Sequence, residues 1–255
     1  MVYHVVYKAS KNYSNRSLIP LRLRIISCRQ TNKTFWEFDK EKIYKVLKIL
    51  EKNKPIVMKR TKEIKKRSIV KGRIQDLGSL IVVSFRAPKD EKEKIRNFVK
   101  KAPCFRLCKR VYVFYQRHSQ FDPKNELIDA QRLVSFIREL GGEVKLLPKI
   151  VIPDDRSVQL LVDETRRQVE REIFDMRQKC TQLCDKYLKN ECNHRQLSDS
   201  LRKIARRFIT VKRKARYYEK WMGLDFSKSL MKTYRTLNKV RQASVRKNSE
   251  TYKFH

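Results

Sequence analysis

"SLIVVSFRAPKD", residues 79–90, joins an apolar run to a charged stretch across Pro88. Its apolar run predicts a buried strand over 79–86, and the charged stretch after it predicts a helix over 89–102, with Ile95, Phe98, Val99 and Ala102 on one face. Next, "CFRLC" (104–108) and "VYVFYQ" (111–116) flank Lys109 and Arg110 as a hairpin. Asp122 is the expected cap of a second helix with Pro123 at its first position, and its apolar face is Leu127, Ala130, Val134 and Ile137. Gly141 and Gly142 stop that helix, and "EVKLLPKIVI" supplies a last strand. The order is βαββαβ.

That order is the ferredoxin-like pattern and sets the fold class as α+β. Beyond Pro153 the apolar spacing becomes purely helical. Residues 156–189 carry Val162, Val169, Ile173, Met176, Cys180, Leu183 and Tyr187 in steps of three and four. A second helix over 195–222 and a third from Asp225 follow, and the first two are expected to pair as an antiparallel hairpin. Working back from residue 79, "LRLRIISC" (21–28) alternates like a strand and pairs with "TFWEF" (34–38) across "RQTNK". Then 39–53 reads as a helix capped by Asp39, with Ile43, Val46, Leu47 and Leu50 inward, and "IVMKR" and "SIVKGRIQ" as short strands in a wing-like arrangement. The expected divisions are a basic mixed α/β N-terminal region (1–78), the βαββαβ core (79–153) and a basic helical region (154–255).

The 255 residues hold 63 Lys and Arg against 27 Asp and Glu, a formal net charge of +36. The excess is +15 over 1–80, +8 over 81–150 and +13 over 151–255, so no single tail carries it. A molecule basic throughout favours a polyanion partner, DNA or RNA, over a small acidic substrate. No apolar run reaches the ~18 residues of a membrane span, and "MVYHVVYKASKNY" lacks a signal-peptide core; a cytoplasmic location is expected. Six cysteines then read as reduced thiols or metal ligands. With only five glycines and no phosphate-cradling motif, no nucleotide cofactor is expected.

"LIVVSF" before a helix, the hairpin "FRLCKRVYVFYQ", "IRELGGEV" and the helical "RRFITVKRKARYYEKWMGLD" together resemble the N-terminal domain of the ChrB regulators over residues 79–226. More distantly, the core resembles PaaX-type repressors and the small CRISPR adaptation protein. The resemblance implies a nucleic-acid-associated role and no chromate chemistry. In the CRISPR adaptation family the first strand ends in a metal-binding aspartate, where this chain reads Ser84-Phe85-Arg86. An arginine there repels a divalent ion, and Asp90, inside the following helix, is a poor substitute.

Two basic stretches are the candidate phosphate contacts. "KRTKEIKKRSIVKGR" (59–73) groups Lys59, Arg60, Lys62, Lys65, Lys66, Arg67, Lys71 and Arg73, offset only by Glu63. "LRKIARRFITVKRKARYYEK" (201–220) projects Arg202, Arg206, Arg213, Arg216 and Lys220 as one file, with Lys203, Arg207 and Lys214 beside it. Arg86 suits a phosphate or a structural partner. Cys180, Cys184, Cys192 and His194 are a possible zinc set, but their C-x3-C-x7-C-x-H spacing is not standard and Cys180 falls on the apolar stripe; no metal is expected. Tyr112, Phe114, Tyr115 and Phe121 are available for base stacking, although core packing, or burial against a second subunit in a homodimer, is the simpler reading. Four scattered histidines form no catalytic constellation. The expected function is non-catalytic nucleic-acid binding, with a metal-dependent nuclease or an RNA- or ribosome-associated factor as alternatives.

Overall fold

The structure is a computed structural model describing residues 1–7, 13–70, 73–116, 127–189 and 191–251, with the side chains of 13–17 and 244–251 outside the description. Over the first half the chain runs β1 (Val2–Val6), α1 (Tyr13–Ile25), β2 (Arg29–Asn32), β3 (Phe35–Asp39), α2 (Ile43–Leu50) and β4 (Ile56–Arg60). A hairpin of β5 (Ser68–Val70) and β6 (Arg73–Asp76) follows. Then come β7 (Leu80–Arg86), α3 (Lys92–Lys100), β8 (Phe105–Cys108), β9 (Val111–Tyr115), α4 (Ala130–Glu139) and β10 (Glu143–Val151).

The molecule is mixed α and β, with an eight-stranded sheet in the order β2-β3-β1-β4-β10-β7-β9-β8 and every pairing antiparallel. The βαββαβ order expected over 79–153 is therefore present. The same order also occupies residues 2–60, which the sequence reading did not find. Within each half the first strand lies between the third and the fourth, so the two halves mirror one another across the β4–β10 seam. That seam is short, Lys59 opposite Val151 and Arg60 opposite Ile150, and it joins the segments 1–78 and 79–153 that the sequence reading set apart.

Alternation explains both faces of the sheet. Tyr3, Val5, Trp36, Phe38 and Val57 point to α1 and α2, and meet Ile19, Leu23, Val46 and Leu50. Val83, Phe85, Cys104 and Phe114 meet Ile95, Leu133, Val134 and Ile137 of α3 and α4. The intervening residues are equally buried: His4, Val6, Phe35 and Met58 in one half, Leu80, Val82, Ser84, Val111 and Val113 in the other. Lys145 Nζ donates to Glu37 Oε2 at 2.8 Å and Asn32 Nδ2 to Ser84 Oγ at 3.4 Å, so the helix-free faces of the two halves meet. Strand β10, which pairs with both halves, is irregular between Leu147 and Ile150, where its register shifts and Lys149 has φ 59°.

Several expectations are corrected. Residues 21–25 are the end of α1 and not a strand: Leu23 turns inward while Leu21 and Ile25, four apart, share the outer face. The partner of β3 is "RQTN" instead. Asp39 precedes a 3-10 turn (Lys40–Lys42) without capping it, and its carboxylate lies 3.6 Å from Lys42. Asp122 and Pro123 lie outside the described residues; α4 begins at Ala130, and its cap is Asp129, which accepts from Arg132 N at 2.8 Å. Asp90 sits in the turn before α3. "IVMKR" is β4 of the main sheet, which separates the helix from the basic hairpin.

The chain divides into two compact units, Met1–Val162 and Asp163–His255. The second is built by α5 (Asp155–Leu188), which starts in the first unit, α6 (His194–Met222) and α7 (Ser227–Thr251). Cys180, Tyr187, Leu197, Leu201, Leu237 and Val240 form its core, so the expected two-helix hairpin is a three-helix packing. Asn193 caps α6 in a reciprocal box with Gln196, and Gly223, at φ 67°, ends it.

Candidate nucleic-acid interface

Charge is unevenly divided among these three helices. The α5 span carries seven Lys and Arg against seven Asp and Glu, α6 ten against two, and α7 seven against one. A generally basic composition does not produce that contrast; two of the three helices hold the excess.

On α6 the buried residues Leu201, Phe208, Val211, Ala215 and Tyr218 fix the rotation of the helix. Arg202, Arg206, Arg213, Arg216 and Lys220 are consequently exposed, as are Lys203 and Arg207 at the flanks. At 1.5 Å per residue, the file from Arg202 to Lys220 is about 27 Å long. Lys214 departs from the expectation. It is 2% exposed, and its Nζ donates to both carboxylate oxygens of Glu172 on α5, at 3.0 and 2.9 Å. Its position three residues after Val211 and four before Tyr218 places it on the edge of the buried stripe, so it ties α6 to α5 and offers nothing to a phosphate.

A second file was missed. Lys228, Lys232, Arg235 and Lys239 of α7 are exposed in steps of four, three and four, opposite the buried Leu230, Thr233, Leu237 and Val240. No acidic residue lies between Asp225 and Glu250. The stepping itself was the available signal. Phe208 and Tyr234 stack at 6.2 Å where α6 and α7 pack.

In the first unit, segment 59–73 has a held backbone. Thr61 N donates to Lys149 O at 2.8 Å, Lys149 Nζ to Lys62 O at 2.8 Å, and Ser79 N to Lys65 O at 2.9 Å while Lys65 N donates to Ser79 Oγ. Gly78, at φ 73°, lets this segment approach; a Cβ there would lie 2.9 Å from both Arg67 N and Lys65 O. Arg60, Lys62, Lys65, Lys66, Arg67 and Arg73 project into solvent from that frame, with Lys59 half-buried on β4 and Lys71 outside the described residues. Arg86 is exposed at the opposite end of β7, about 20 Å from the Leu80 end, and sits across the strand pair from Glu143. It is therefore apart from the 59–73 cluster and beside a carboxylate.

Of the remaining candidates, the three cysteines of 180–192 and two of the aromatics pack in or against the cores, while His194 is exposed. Cys180 is fully buried in the bundle core and burial raises its thiol pKa; Cys184 and Cys192 pack against the same core. Among the described residues no three His, Cys, Asp or Glu side chains are grouped to hold a metal ion. Tyr112 and Phe114 pack with α3 and α4, Tyr112 stacked on Phe85 at 6.0 Å, and Phe121 lies outside the described residues. Between the two sheet faces, burial drives the His4 pKa from 6.5 to about 4; Lys145 and Arg60 push the same way, and Glu37, 3.9 Å from Nδ1, opposes them. Glu37 is held below the usual carboxylate range by its Lys145 contact, against the opposing effect of burial. No described helix is long and apolar enough to cross a membrane. The chain matches no protein-family model, no curated protein and no solved structure.

Proposed function

We propose that the chain is a non-catalytic nucleic-acid-binding protein, of the regulatory or architectural kind that its ChrB-like sequence pattern implies. The observation that carries this reading is the division of charge in the bundle: α5 is neutral, while α6 and α7 present files of exposed arginine and lysine. Such files neutralise successive phosphates without reading bases. The ferredoxin-like assignment of 79–153 is supported by the order β10-β7-β9-β8, which puts the fourth and third strands on either side of the first.

A mobility-shift titration of the intact protein against DNA and RNA at several salt concentrations tests the proposal. Log K should fall with log salt at about −0.9 per neutralised phosphate on a DNA duplex. Arg206→Ala with Arg213→Ala should weaken binding uniformly across sequences and reduce that slope by about 2. Failure of both polymers to bind at low salt would refute the function. Unchanged affinity in the double variant would remove α6 from the site.

A further inference from the structure

Helix α1 is apolar on two sides. Ile19 and Leu23 face the sheet, while Leu18, Leu21 and Ile25 form an outer stripe, and α2, packed beside it, adds Tyr44 and Leu47. These five side chains are between 38% and 73% exposed. Lys42 Nζ donates to Ser27 O at 3.1 Å and links the end of α1 to the start of α2. The counterpart helices of the second half, α3 and α4, occupy the same positions in the βαββαβ order and have no large apolar side chain among the exposed ones. The fold therefore does not require an apolar outer surface on this helix pair. An outward stripe of aliphatic residues on a helix whose other side is already buried marks an interaction surface.

Charge identifies the occupant. Neither α1 nor α2 contains an acidic residue, and Arg22, Arg24, Lys45 and Lys48 are exposed along them; Glu41 and Glu51 lie only in the turns flanking α2. A second copy of this chain would bring the same cations into register on a molecule of net charge +36. Leu18 to Ile25 spans two helical turns, about 10 Å, the reach of anchors at i, i+3 and i+7 on a bound helix. We infer that the outer face of α1 and α2 docks an acidic amphipathic helix of a partner protein.

The intact protein is titrated by fluorescence anisotropy with a synthetic helix carrying leucines at i, i+3, i+4 and i+7 and glutamates elsewhere. A second peptide has lysines in place of the glutamates, and vesicles of phosphatidylcholine with phosphatidylserine are tested in parallel. The acidic peptide should bind and the lysine peptide should not. Leu21→Ser with Ile25→Ser should lower affinity at least about tenfold, and Tyr44→Ala alone should lower it by a smaller factor. Because all three side chains face outward, the thermal midpoint should stay put. The inference is overturned by no binding of the acidic peptide, by equal binding of the lysine peptide, or by unchanged affinity in the variants. It is equally overturned if the variants abolish vesicle binding or self-association seen by light scattering.

Discussion

At the scale of single residues, Lys214 and His4 show how burial reassigns a titratable side chain. Lys214 reads from the sequence as one more cation on a basic helix, yet its position on the wheel puts its ammonium against Glu172 inside the bundle. Lys214→Ala leaves Glu172 without its cation, with the 3.4 Å contact from Gln168 Nε2 remaining. It should cost about 2–3 kcal/mol in denaturant unfolding, below the 3–5 of a fully buried pair because Glu172 is partly exposed. The salt slope of nucleic-acid binding should not change. His4, on the helix-free face of β1, has a pKa of about 4 against 6.5 unfolded. A depressed native pKa means the unfolded chain takes up the proton first, so this stabilisation is complete above pH 6.5 and is lost progressively as pH falls toward 4. The loss is on the order of 3 kcal/mol. His4→Gln should flatten the acid limb of the stability profile between those pH values, as followed by thermal unfolding in a pH series.

At the scale of elements, legibility followed periodicity. Helices α5 and α6 were placed within a residue at each end because their stripes are long, and β7, β8, β9 and β10 because apolar runs alternate with turn residues. The α1 segment deceived because "LRLRI" has a period of two in sequence. Its helix instead splits those apolar residues between an inner and an outer face, a division that a strand reading cannot anticipate. The first βαββαβ order was hidden for a related reason: with α1 read as a strand and the polar "RQTN" of β2 as a turn, β1 had neither a helix nor a second strand to follow it. The second cation file on α7 was readable from its steps but is sparser than the 201–220 run. The frame of segment 59–73 was not legible at all, because it depends on Ser79, Gly78 and Lys149, distant in sequence or hidden in a turn. Gly78→Ala should strain the positive φ and push against Arg67 N and Lys65 O. A drop of about 1–3 kcal/mol in unfolding free energy is expected, with polyanion binding by this segment weakened in the same variant.

At the scale of the whole molecule, the first unit is two mirrored halves that cover each other's helix-free faces. A fragment of 79–153 alone would expose Leu80, Val82, Val111 and Val113, and should aggregate or lack dispersed amide resonances, whereas 1–162 should give a cooperative unfolding transition. The second unit adds the polarised bundle, so the chain carries two basic regions on separately built supports. The β4–β10 seam consists of two residue pairs, followed at once by Thr61, whose amide bonds Lys149 O. The basic segment thus begins on the last hydrogen bond holding the two halves edge to edge. A polyanion gripping Arg60 and Lys62 while Lys149 stays bonded to Lys62 O would oppose local opening there, because a ligand that binds only the closed form stabilises it by mass action. Amide hydrogen exchange at Thr61 should slow on adding the polyanion, with exchange in the β7–β9 pair unchanged; the seam would then report occupancy of the basic segment as a protection factor.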